Sequence, residues 1–304
     1  MVPMSDGTAD EGFQRAHRAA RRLTRQCRVH VETSLSKLDA RRIAAASYSP
    51  YGLDRHAARD GEHRLAYRKR LEHVEAMSNA LQTHLRGIEL LLQHETFHAL
   101  PSVTIARAVA EVSASCSWLL RPATADARAA RAYALIFRDI EKSISRSRGK
   151  TATTLAELRE KLIGEIERAG GKIQRRNKDG KMFDDVHVVR VGRAHAKTGF
   201  NYSDRVAEEI PSVAPMYSAM SALVHGEPLA VSVSLDDPAI IARTIGFVVQ
   251  QSTATWSQAI HAWVGVDAAP FINDQDVRAL KLSIPKALRD QLEAERPRGT
   301  HGSS

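Results

Sequence analysis

The residues that could do chemistry fall into three groups. The first is His94-Glu95-Thr96-Phe97-His98. Two histidines at i and i+4 on a helix share a face and can hold one zinc ion, with the intervening glutamate as general base on metal-bound water. This predicts a zinc-dependent hydrolase or peptidase with His94 and His98 as ligands and Glu95 as catalytic base. No downstream residue in a recognisable context supplies a third ligand, and Pro101 follows three residues after His98. The second group is Ser221 and His225, again at i and i+4, with Gly226 as a helix stop. No oxyanion loop or third orienting residue accompanies them, so nucleophilic catalysis is not their expected role.

The third group is cationic. Arg107 and Glu111 can pair at i and i+4, on the same side of their helix as Trp118 and opposite its apolar stripe. That side is expected to be covered as well. In the next helix Arg128, Arg131, Arg138 and Lys142 form a basic stripe able to hold phosphates. An ordinary solvated face would carry the same charges. Arg107, Glu111, Ser221 and His225 are expected to meet in a polar cluster between helices.

The elements that must position these groups are helical. Hydrophobic residues make up 43% of the chain and aromatics only 5%, which favours helices over a β-sandwich. Val74, Met77, Leu81, Leu85, Ile88 and Leu92 keep one stripe at the helical period, predicting a helix from about 62 to 99 that ends before Pro101. Further helices are predicted at 13–38, from Ser102 or Thr104 to 120, at 124–145, and at 155–169 with Gly170-Gly171 as the stop. Another is expected at 203–225 with a break at Pro211. A last, buried one is expected from Asp237-Pro238 to Val264, opened by an N-cap and N1 pair. Residues 48–61, with Pro50, Gly52 and Gly61, are expected to be a loop. Asp179-Gly180, between 172–178 and 181–191, predicts a small β-hairpin, with a basic loop as the alternative.

The expected architecture is therefore an all-α, multi-helix bundle with one small β-hairpin near 172–191. Its parts are a disordered 1–12, an N-terminal helical segment and loop at 13–61, and a bundle at 62–265 with an insertion at 171–202. A partly disordered tail covers 266–304. No apolar run approaches bilayer-crossing length and no signal peptide is visible, so a cytoplasmic protein without a membrane partner is expected. Cys27 and Cys116 are too few for a disulfide framework, and Cys116 is expected to be a buried free thiol. The formal charge of +9 raises the expectation of a polyanionic partner, although an Arg- and Ala-rich composition alone produces such an excess.

The run Ala106-Arg107, Glu111, Trp118-Leu119-Leu120, then Arg128 and Arg131, then Tyr217, Ser221 and His225-Gly226, resembles helical proteins of actinobacteria that are similar to the HEPN (higher eukaryotes and prokaryotes nucleotide-binding) superfamily. The resemblance spans about residues 70–265 and rests on a spacing pattern. It implies a helical bundle. Active members are metal-independent ribonucleases with an Arg and a following His separated by four to six residues. Here Ser218, Ala219 and Met220 occupy the three positions where the Arg preceding His225 should be. The spacing recurs at Arg25/His30, Arg68/His73, Arg190/His195 and Arg296/His301, about as often as chance predicts.

The resemblance thus implies a catalytically inactive binding protein without a cofactor. RNA or another polyanion would be held by Arg128, Arg131 and Arg138; a protein partner, including a second copy in a homodimer, is the other expectation. The rivals are the zinc hydrolase and a structural helical protein with no ligand.

Overall fold

A computed structural model describes residues 6–59, 63–94, 96–178, 181–227 and 237–267. Ten helices and three strands occupy them: α1 (Asp6–Ser36), α2 (Leu38–Ala44), α3 (Pro50–Arg59), α4 (Arg64–Gln93), α5 (Ala99–Leu120), α6 (Ala125–Arg146), α7 (Lys150–Arg168), β1 (Lys172–Lys178), β2 (Lys181–Val191), β3 (Ala194–Lys197), α8 (Tyr202–Glu209), α9 (Ala214–Val224) and α10 (Pro238–Val264). The mostly helical class with a small β element is as the sequence predicts.

The centre is a four-helix arrangement in which α10 packs on α5 and α1, and α4 packs on the same two. The predicted α4 stripe delivers Val74, Leu81, Leu85, Ile88 and Leu92 to this core, and α10 adds Ile245, Val248, Trp256, Ile260 and Trp263. Burial of such side chains stabilises by about 1.5–3 kcal/mol each relative to exposure. Asp237 caps α10 as expected, its carboxylate accepting from Ala239 N (2.9 Å) and Ile240 N (3.3 Å). Thr124 caps α6 through Ala127 N at 3.2 Å. Helix α6 lies on the outer side of α4 and carries α7 and the sheet, while α8 and α9 cover α5.

The strands form one antiparallel sheet in the order β1-β2-β3, with Lys178 and Lys181 paired at the hairpin end. The predicted turn dipeptide itself lies outside the described residues. The third strand was not legible in the sequence. One face, through Ile173, Val189 and Ala196 in register, turns toward α6.

Several expectations are corrected. Residues 48–61 are not all loop: Pro50 opens α3, where its missing N–H and fixed φ suit a first helical residue. Gly52 is required within α3 because a Cβ there would overlap the Ala46 carbonyl oxygen. Helix α4 stops at Gln93 instead of 99, and Pro101 lies in the first turn of α5. The helical start at Asp6 extends into the stretch expected to be disordered. Helix α5 also has the length (22 residues) and mean hydropathy (1.2) of a membrane-crossing helix, which the sequence reading did not credit to any run. Two-thirds of that stretch is enclosed by the fold, with α10, α4 and α9 against it.

Candidate functional site

The most chemically loaded surface is built where α5, α6, β3 and α8 meet. Trp118, at the end of α5, is nearly covered. Arg131 of α6 lies over its ring at 4.7 Å from the centroid and donates to the Trp118 carbonyl oxygen. On the other side comes Arg205 of α8, with its guanidinium carbon 3.9 Å from the Trp118 ring and 3.0 Å from that of Phe200. Beyond Phe200 stands Arg138 of α6, at 3.7 Å, which also donates to the Tyr202 hydroxyl at 3.2 Å. Three guanidiniums thus alternate with aromatic faces, each gaining cation–π attraction and losing water.

Arg205 is only 4% exposed, and its Nη1 has no acceptor among the described residues. Burial first, then the nearby Arg138 and Arg131, pull its pKa down to about 9. Glu209, one turn on, stays largely buried, accepts from Ser117 Oγ at 2.7 Å and lies 3.2 Å from Arg121. Its carboxyl is held above the usual range by burial.

Trp118, Arg131, Phe200 and Arg205 of this stack form the inner wall of a pocket of about 300 Å³ whose rim carries His195 and Lys197 of β3, with Asp204 and Glu208 of α8. The rim residues are exposed and the base residues are not. The rim continues across the sheet. Lys172, Arg190 and His195 are partners in register on β1, β2 and β3. Directly paired side chains point to the same face, so this is a row of basic side chains on the side away from α6, with the charged Lys172 and Arg190 directly opposite each other. All three are exposed, and none has a carboxylate partner among the described residues.

A second cavity of about 280 Å³ lies between α4, α5 and α6, behind Arg138 and Tyr202. His73, His84 and Glu111 line it. Burial lowers both imidazoles, and His73 Nε2 has no partner among the described residues. Glu111 is engaged: it accepts from Arg107 Nε (3.0 Å) and from the Tyr217 hydroxyl (2.6 Å).

The sequence-based site residues are therefore distributed over several places. Arg107 and Glu111 do pair, and α9 covers them through Tyr217. Ser221 is half-buried in the last turn of α9 and His225 is its C-terminal cap; among the described residues no hydrogen bond or ion pair joins either to Arg107 or Glu111.

Arg128 is the clear correction. It is fully buried and belongs to a different network, donating from Nε to both Asp54 oxygens at 3.0 Å and from Nη2 to the Pro50 carbonyl at 2.9 Å. Arg70 pairs with the same carboxylate, and Trp263 Nε1 donates to it at 3.0 Å. Arg128 thus has neither the exposure nor the free donors for an external phosphate. Arg131 and Arg138 remain at the pocket side of α6.

His94 and His98 flank the break between α4 and α5; His94 Nδ1 and His98 Nε2 lie 3.2 Å apart. They do not share a helical turn, and Glu95 lies outside the described residues. Among the described residues no three His, Cys, Asp or Glu side chains converge as a metal would need.

Sequence reasoning missed Lys197, Phe200 and Arg205 as a unit. The signal was present in Phe200-Asn201-Tyr202-Ser203-Asp204-Arg205, where aromatics interleave with a cation, but its partners lie on α5 and α6. No protein family model, curated protein or solved structure matches the chain.

Proposed function

We propose that the chain is a HEPN-like helical binding protein, catalytically silent, whose ligand is a single-stranded polyanion of the RNA type. It lies along the outer face of the sheet and turns into the pocket beside Arg205. The carrying observation is the row Lys172–Arg190–His195. Like charges directly opposite on a sheet destabilise it, and these have no neutralising carboxylate among the described residues. A phosphate backbone removes that repulsion and releases counterions as it binds. Catalytic silence is supported by the residues before His225, which include no arginine, and by the engagement of Arg107 and Glu111 with each other and with Tyr217.

The test is RNA binding by the full chain at several salt concentrations. With Lys172, Arg190 and Lys197 each meeting a phosphate, log K should fall against log salt with a slope of about −2. Lys172→Ala with Arg190→Ala should flatten that slope by about 1 to 1.5. Absence of binding at low salt, or a slope unchanged in the double variant, sinks the reading.

A further inference from the structure

We propose that the pocket between α5, α6, β3 and α8 is a site for a phosphate monoester, the charged end of a strand or of a nucleotide, and not for an internal phosphodiester. The inference deepens the polyanion reading, which supplies the ligand's approach along the sheet; it shares His195 and Lys197 with that reading but stands on Trp118, Arg131 and Arg205, which the row does not use.

Shape argues first. Trp118, Arg131 and Arg205 close the inner side of the pocket, while His195 and Lys197 stand exposed at the mouth. The pocket is a half-open recess, and the end of a strand can settle in it against the covered wall. The volume of about 300 Å³ takes a phosphate with part of its sugar.

Donors argue second. Arg205 is almost wholly covered, yet its Nη1 lacks an acceptor among the described residues. An orphaned buried donor on a charged group carries the full desolvation cost of that group, so its presence calls for an acceptor that the described chain does not supply. The two aromatic faces hold the guanidinium plane fixed, which aims its donors and leaves it unable to swing out to water.

Charge argues third. Among the residues that line this space Arg131, Lys197 and Arg205 outnumber Asp204 and Glu208 by one charge. Arg138, on the Phe200 ring behind them, raises the excess to two. A monoester carries about −1.5 to −2 at neutral pH and offers three acceptor oxygens, against one charge and two free oxygens for a diester. His195 at the mouth would add a further donor when protonated.

The experiment titrates the full chain with one short single-stranded RNA in three forms: 5′-phosphorylated, 3′-phosphorylated and with hydroxyls at both ends. Nucleoside monophosphate, nucleoside and inorganic phosphate are titrated separately. A phosphorylated end should tighten binding about tenfold or more, as charge-assisted bonds to two donors require. Inorganic phosphate should abolish that increment while leaving hydroxyl-ended binding in place. Arg205→Lys keeps the charge without the fork, and Lys197→Ala changes only the exposed mouth; each should reduce the increment several-fold.

Equal affinity for all three RNAs, with no binding of the monophosphate, overturns the inference while the sheet row stands. Binding of the monophosphate but not the nucleoside, with no binding of hydroxyl-ended RNA, upholds the pocket, identifies a free nucleotide as the source and overturns the row. Failure of every ligand overturns both.

Discussion

Replacing Asp54 with asparagine tests whether one carboxylate holds three parts of the fold together. Asp54 of α3 is 3% exposed, and its partners Arg70 of α4 and Arg128 of α6 are 2% and 0% exposed. Arg128 reaches it with Nε at 3.0 Å and Nη2 at 2.8 Å, and Trp263 of α10 donates at 3.0 Å. Burial already pushes the Arg70 guanidinium below its ordinary pKa, and Arg128 beside it adds to that, because one carboxylate is shared by two cations. The Asp54→Asn side chain would keep the volume and one acceptor for Trp263 but leave both guanidiniums without a counter-charge.

Breaking one buried pair costs about 3–5 kcal/mol. With two cations stranded the upper end applies, a large share of the roughly 5–15 kcal/mol of a typical domain. At a urea m-value of about 2 kcal/mol/M the midpoint should fall by roughly 2 M. Urea denaturation followed by tryptophan fluorescence and circular dichroism measures it. Adding Arg70→Met to Asp54→Asn should recover part of the loss, since an apolar isostere removes one stranded charge. A midpoint shift under about 0.5 M, or further loss on adding Arg70→Met, refutes the reasoning.

Gly52→Ala should destabilise α3 by several kcal/mol or prevent folding, because the new Cβ meets the Ala46 and Ser47 carbonyl oxygens; thermal melting reads this out. Acid should weaken the fold through a half-buried histidine. His30, bonded to Ser257 and close to His261 and Arg41, is held by burial at about 4, so the unfolded chain takes up the proton first. Stability should therefore decline as pH falls from about 6.5 toward 4, by about 1–2 kcal/mol for this residue after allowing for its partial exposure. A pH-independent urea midpoint across that window contradicts it. Cys27 and Cys116, both fully covered and with thiols raised to about 12, should resist alkylation in the native protein and react only in denaturant, which mass spectrometry after labelling can score.

The long helices were legible because their apolar residues recur at one period, and α10 was legible at its start because Asp237 and Pro238 are adjacent. The hairpin was legible from a dipeptide. What was not legible depended on distant partners. Helical phase placed Arg128 beside Arg131 and Arg138, but which edge of α6 turned inward was decided by Asp54, which lies 74 residues away in the chain. Asp54 itself stood in a stretch whose Pro and Gly suggested a loop. The break between Gln93 and Ala99 carries no Gly, and its only nearby Pro serves the next helix, so two histidines that could share one helical turn instead flank the break with their rings in contact. Arg205 lies on an eight-residue helix rich in acids. Only the aromatic surfaces contributed by Trp118 and Phe200 turn it from one surface cation among many into a fixed donor.

The placement of the indoles has a practical consequence. Of three tryptophans, Trp256 and Trp263 are sealed at 0% and 1% exposure, whereas Trp118, at 9%, borders the space beside Arg205. Anything drawing that guanidinium off its ring alters the emission of a single fluorophore against the constant emission of two sealed ones. The molecule therefore carries its own occupancy gauge, readable without a dye or a tag.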